Sequence, residues 1–262
     1  MGIDRGVVTP VTMAEESGPT RVGEYYIRTW DDKYRGLISM TDVLVHSSNV
    51  GMVYVQNKLK KDGMLSVLHA FGFGELTGID LQEEVPGSVR EDGDWKEIDL
   101  ATASFGQGIG VTPIQMIRAV GAIANDGHLV EPQVVKEIRD ESGTTVPNKT
   151  NTSRQVISQT TANVITEMMI AAVDRGDAKW AKPKGYRIAG KTGTAQIPVA
   201  GHYDTTKTVA SFVGFAPAED PKFIILVTLR EPTSSPWGSE TAAPLFFAIA
   251  RDLFAYYGIA PQ

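Results

Sequence analysis

Apolar residues recur at helical spacing in several separate windows of the chain. Ser39 stands where an N-cap belongs, ahead of the run from Met40 to His46, with Asp42 at the third helical position. A second run extends from Val50 to Leu59. A third, Gly63 to Phe71, follows Asp62 and stops at Gly72 and Gly74. Thr112 and Pro113 open a helix that reaches Asn125 and ends at Gly127. Ser158 opens a long one to about Arg175, closed by Gly176.

Beyond residue 186 the period shortens. Arg187 to Ala195, Val209 to Ala216 and Phe223 to Arg230 are strand-length runs joined by short connections with Gly, Pro and Asp, the pattern of an antiparallel meander. A last helix, about Thr241 to Tyr257, is apolar over most of its circumference and stops at Gly258. Arg251 and Asp252 interrupt it, so it reads as a helix packed on the sheet. Residues 1–37, with Pro10, Pro19 and several glycines, are irregular or short-stranded, and alternate only at Tyr25 to Trp30. Residues 75–100 are loop-rich and acidic. Between 130 and 157, Val134 to Ile138 precedes the turn-rich Glu141 to Gly143 and Asn148 to Ser153, a surface hairpin. Helices precede strands, which predicts an α+β fold with a helical part at about 38–175 and a sheet with its terminal helix at about 186–258.

Composition narrows the functions available. At 42% hydrophobic and 21% charged residues the chain is globular. The net charge of −6 argues against a nucleic-acid partner. With no cysteine there are no disulfides, thiolate metal sites or thiol nucleophiles, and the four histidines lie too far apart for HxH or HExxH pairing, so neither metal nor cofactor is implied. The longest apolar run, Phe223 to Val227, is far short of the roughly 18 residues of a membrane span. Met1 to Gly6 lacks the apolar stretch of a signal peptide, and Gly6 occupies the Ser/Thr position of a myristoylation signal, so the sequence predicts no leader or anchor of its own.

Two short clusters carry candidate chemistry. Ser47-Ser48-Asn49 lies in the break between two helical runs, where a hydroxyl and a carboxamide can project into a cleft. Lys191-Thr192-Gly193-Thr194 lies on the first late strand, where a cation, two hydroxyls and a bare backbone can meet one ligand; a side chain at Gly193 would block a substrate lying along the strand. Taken singly, the first triplet also suits a helix cap and the second an edge strand.

In this order the clusters resemble the second and third active-site motifs, Ser-x-Asn and Lys-Thr-Gly, of penicillin-binding proteins and serine β-lactamases. His46 to Gly51, Trp95 to Gly108, Val111 to Gln115, Ala189 to Gln196 and Ser211 to Pro217 are similar to class B penicillin-binding proteins, and the resemblance runs from about Gly6 to Tyr257. The Trp95 to Gly108 stretch is more similar to the cell-division branch than to the elongation branch. The resemblance implies a penicillin-binding, β-lactamase-like transpeptidase fold. It also implies a peptidoglycan D,D-transpeptidase that binds D-Ala-D-Ala stem peptides and β-lactams through a serine acyl-enzyme. Partners in the family include division or glycosyltransferase membrane proteins, at the extracytoplasmic face of the bacterial membrane. On it, Ser47 relays protons toward the leaving group and Asn49 holds a substrate amide and orients the lysine beside the nucleophile. Lys191 supplies positive potential and helps keep that lysine neutral; Thr192 and Thr194 bind the substrate carboxylate, and the Thr194 N–H contributes to the oxyanion hole.

One motif departs from the pattern: no serine in this sequence has a lysine three residues later. In the family that Ser-x-x-Lys lies on a helix upstream of the segment that Gly2 to Pro10 resembles. The expectation is therefore a partial transpeptidase domain, residues 1–262, without the nucleophile helix and the N-terminal strands, inactive alone, and with an unpaired sheet edge and an uncovered apolar face that lower its solubility or stability. Two alternatives stand beside it: a nucleophile-free or split homologue that binds peptidoglycan or a division partner without catalysis, and a serine β-lactamase or carboxypeptidase.

Overall fold

The computed structural model describes residues 1–146, 152–199 and 202–262. Strand β1 (Met13–Glu16) pairs antiparallel with β4 (Gly36–Ser39), Ala14 facing Ile38 and Glu16 facing Gly36. Between them β2 (Thr20–Val22) and β3 (Tyr25–Ile27) form a hairpin. Helix α1 (Met40–Val45) leaves β4 directly, and the Ser39 hydroxyl accepts the Asp42 N–H at 3.1 Å, as the cap pattern requires. Helix α2 (Asn49–Phe71) is broken at Lys60 by φ +60° and ψ −178°, which matches the break expected between Leu59 and Asp62. Gly51 lets α2 cross α1 closely, because a Cβ there would collide with Val43.

Helix α3 (Glu97–Ala103) lies in the acidic stretch expected to be loop; the Asp99 carboxylate accepts the Lys96 N–H at 3.0 Å and caps its start. In α4 (Pro113–Ala124), Thr112 and Gln115 form a reciprocal capping box. Strand β5 (His128–Val130) pairs with β8 (Ser153–Gln155), and β6 (Ile138–Arg139) with β7 (Thr145–Val146), which closes the turn at Ser142 and Gly143. Val134 and Val135 join no strand: Asp80 takes both of their N–H groups, at 2.7 and 2.8 Å. Of the second turn-rich segment, residues 147–151 lie outside the described residues. Helix α5 (Gln159–Arg175) begins with Ser158 accepting the Thr161 N–H at 3.2 Å.

The late strands β9 (Ala189–Val199), β10 (His202–Ala216) and β11 (Phe223–Arg230) form an antiparallel sheet in the order β11-β10-β9, with β10 longer than its apolar run foretold. Alternation along β10 sends Phe212 and Phe215 to opposite faces. Phe212 packs with Phe246, Phe247 and Ala250 of α6 (Ala242–Tyr256). Phe215 packs with Ala189 and with Met169 and Ile170 of α5. Each of these buried phenylalanines contributes about 2 kcal/mol of apolar transfer free energy. Helices therefore lie on both faces of the sheet, and β9 runs along its outer border beside α5 and the α1–α2 junction. On the far border Phe223 to Leu226 stay half-buried, while Leu245, Ile249 and Tyr256 of α6 are exposed. Among the described residues, no helix is long and apolar enough to cross a membrane.

Candidate active site

Between α1 and α2 the chain reverses in a single step. Ser47 takes φ +53°, a left-handed conformation that costs a residue with a Cβ roughly 1–2 kcal/mol. Its N–H reaches the Leu44 carbonyl at 3.3 Å, and the Ser48 N–H reaches that of Val43 at 2.9 Å. The Ser48 hydroxyl is buried; it accepts the Gly51 N–H at 2.9 Å, capping α2, and donates to the Glu16 carboxylate. Asn49, half-buried at the first position of α2, donates its amide N–H to the Arg28 carbonyl at 2.9 Å. Trp30 donates its indole N–H to the His46 carbonyl at 3.0 Å. The segment 28–30 is thus fastened to the turn at two points.

Facing the turn, β9 carries Lys191, Thr192, Gly193 and Thr194 in register with Val213, Phe212, Ser211 and Ala210. Alternation turns Lys191 toward the helical layer, where its ammonium donates to the Ser47 hydroxyl. It also lies 3.1 Å from the Thr192 carbonyl and 3.3 Å from the Thr192 hydroxyl. Burial of this cation pulls its pKa from the ordinary 10.5 down to about 8, against the opposing charge of Asp177. At neutral pH it is still mostly protonated, but a proton leaves it far more readily than it would leave a surface lysine.

The Thr194 hydroxyl accepts the Gly238 N–H at 3.0 Å, and the Thr208 hydroxyl donates to the Pro236 carbonyl at 2.8 Å, so the segment before α6 is strapped across β9 and β10. Gly238 sits so close that a Cβ would run into the carbonyl oxygens of Gly193 and Ser211. Gly193 has an additional reason to lack a side chain: its Cβ would lie 2.5 Å from the Ser211 hydroxyl across the ladder. Next to Gly238, Trp237 packs on Trp30 with ring centroids 5.0 Å apart, so an aromatic pair joins the strap to the segment beside the turn.

All six sequence-predicted residues, Ser47, Asn49, Lys191, Thr192, Gly193 and Thr194, thus lie on two facing elements, and Ser47 and Lys191 touch. Sequence reasoning missed Glu16, Arg35, Trp30 and the Trp237–Gly238 strap. Only the alternation of β1, which turns Ala14 and Glu16 inward together, carries a local trace of any of them. Among the described residues no cluster of His, Asp and Glu could hold a metal ion.

Comparisons with known proteins match this chain over nearly its whole length. The family described as penicillin binding protein transpeptidase domain matches residues 1–252. Stage V sporulation protein D of Bacillus subtilis is 35% identical over 250 residues, covering 94% of this chain and 39% of that protein. Peptidoglycan D,D-transpeptidase FtsI of Buchnera aphidicola is 31% identical over 269 residues, covering 99% of this chain and 44% of that protein. The crystal structure of penicillin-binding protein 3 from Mycobacterium tuberculosis complexed with ampicillin superposes with a TM-score of 0.91 at 29% identity, over 99% of this chain and 60% of that one. The chain therefore spans less than half the length of these two curated relatives.

Proposed function

The chain belongs to the penicillin-binding protein transpeptidase family, and from that premise we propose that it supplies the substrate-binding half of a peptidoglycan D,D-transpeptidase cleft, with the attacking serine on a Ser-x-x-Lys segment outside this sequence. The observation that carries the reading is the contact of the Lys191 ammonium with the Ser47 hydroxyl, which joins the two motif clusters across the cleft. Serine attack on the D-Ala-D-Ala carbonyl leaves an acyl-enzyme and expels an amine that needs a proton. The lysine of the Ser-x-x-Lys takes the proton of the attacking serine, Ser47 gives its own hydroxyl proton to that nitrogen and regains one from that lysine, and Lys191 stays an ammonium against the Ser47 hydroxyl throughout. The positive charge on Lys191 and the hydroxyls of Thr192 and Thr194 hold the terminal carboxylate; the Thr194 oxygen accepts the Gly238 N–H and so keeps its own proton to donate to the substrate. Asn49, its N–H engaged with Arg28, has a carbonyl oxygen to accept from a stem-peptide amide. A β-lactam enters the same cleft and remains as the acyl group, and the site of action is the extracytoplasmic face of the membrane, together with division or glycosyltransferase proteins.

The test is intact mass spectrometry after exposure to a labelled penicillin, on the 262-residue chain and on a form extended upstream through a Ser-x-x-Lys. A stoichiometric, long-lived adduct on the extended form alone is the expected result. No adduct on either form favours a non-catalytic binding homologue, and rapid release of hydrolysed drug favours a β-lactamase or carboxypeptidase.

A further inference from the structure

The carboxylate of Glu16 is buried completely between a hydroxyl and a guanidinium. It lies on β1, where the strand period turns Ala14 and Glu16 inward together. One oxygen accepts the Ser48 hydroxyl proton. The other accepts the Arg35 backbone N–H at 3.1 Å and lies 3.6 Å from the Arg35 guanidinium. Asp31 holds the far side of that guanidinium at 2.6 Å. Burial works to raise the Asp31 carboxyl, but the hydrogen bonds from Arg35 and from the Lys33 N–H, with the Arg35 charge, outweigh it and hold it below the ordinary carboxylate range. The chain Asp31–Arg35–Glu16–Ser48 ends at the residue beside Ser47.

A helix cap alone does not call for this arrangement. The Ser48 hydroxyl can accept the Gly51 N–H unaided, and burying a charge for it would be wasteful. What the carboxylate adds is a fixed hydroxyl: with its proton committed to Glu16 and a lone pair to Gly51, Ser48 cannot rotate. Together with the Val43 and Leu44 carbonyls this over-determines the step at Ser47, the condition under which a left-handed residue with a side chain persists. We propose that Glu16 is a positioning residue for the cleft: acting through Ser48, it holds Ser47 in the backbone conformation that presents its hydroxyl to Lys191. The inference rests on the proposed roles of Ser47 and Lys191.

The test reads the Lys191 ammonium by carbon NMR of the 262-residue chain labelled at lysine Cε, with Lys191→Arg to assign its signal. Glu16→Ala releases the turn and lets water reach the ammonium, so the Lys191 pKa climbs from about 8 toward 10.5. Removing a negative charge without moving the turn has the opposite sign, so a fall or an unchanged value overturns the proposal, as does a wild-type value already near 10.5. The Glu16→Ala/Ser48→Ala double variant moves no further than either single, because both act by one route; additive rises overturn it. Should the cavity left by Glu16→Ala unfold the chain, Glu16→Leu fills it while Arg35 keeps its pairing with Asp31 at 2.6 Å, and the same rise is expected. None of these readings needs a nucleophile or a penicillin. A failure of the extended form to acylate therefore removes the proposed function while the titration still decides the role of Glu16.

Discussion

The turn at Ser47–Asn49 and the strand at Lys191–Thr194 face each other and touch at Ser47 and Lys191, yet opposite means hold them. Each strand residue has a register partner in β10, so backbone pairing sets its position whatever side chain it carries. The turn is one residue deep and has no ladder. Side-chain bonds from Glu16, Asn49 and Trp30 and two carbonyls at the end of α1 hold it against local strain. Spacing of backbones should therefore be the weak point of the strand, and loss of single polar groups that of the turn.

The harshest test of the strand side is Gly238→Ala, whose Cβ meets backbone oxygens of both β9 and β10. Thermal unfolding should show a loss of about 2–3 kcal/mol, and a loss below about 0.5 kcal/mol would mean that the strap lifts freely and does not brace Thr194. Next comes the buried cation. Folded Lys191 releases its proton near pH 8, whereas the unfolded lysine keeps it to about 10.5, so the unfolded state binds more protons between those values and stability rises with pH across that window. Relative to Lys191→Met, the wild-type chain should gain about 2–3 kcal/mol between pH 8 and 10.5 in denaturant titrations; parallel curves would place the ammonium in water.

On the turn side, Ser47→Gly removes the left-handed strain and should stabilise the chain by about 1 kcal/mol, while the extended form loses penicillin acylation along with the hydroxyl. Ser47→Ala should lose acylation equally and gain no stability. A stabilised Ser47→Ala would show that the hydroxyl, not the backbone, carries the strain. The smallest effect belongs to Arg28→Ala. Among the described residues its side chain makes only an exposed ion pair with Asp32 at 3.7 Å, and its carbonyl is what holds Asn49. Stability and acylation should change by less than about 0.5 kcal/mol.

Legibility followed the range of the interaction. The starts of α1, α4 and α5 were readable because Ser39, Thr112 and Ser158 bond to N–H groups three residues away. The late meander showed itself as strand-length apolar runs with short connections. Helix α3 hid in an acidic stretch because its cap, Asp99 on the Lys96 N–H, looks like loop composition until the helix is seen. Strands β1 and β4 are four residues each and pair across a separate hairpin; β1 alternates in burial, but its inward pair is one apolar and one charged residue, Ala14 and Glu16, so no apolar period marks it as a strand. Val134 and Val135 read as strand, but Asp80, more than 50 residues earlier, claimed their N–H groups first.

The same division holds in the cleft. Residue chemistry made Ser47, Asn49 and Lys191 to Thr194 candidates, and their order and resemblance to a known family's motifs raised them above a helix cap and an edge strand. Contact between Ser47 and Lys191, the descent of the lysine pKa to about 8, and the commitment of Glu16 to Ser48 arose only when β1, α2 and β9 came together. Desolvation and hydrogen-bond partners belong to neighbours in space, and neighbours 32 and 144 positions apart leave no mark on a local pattern.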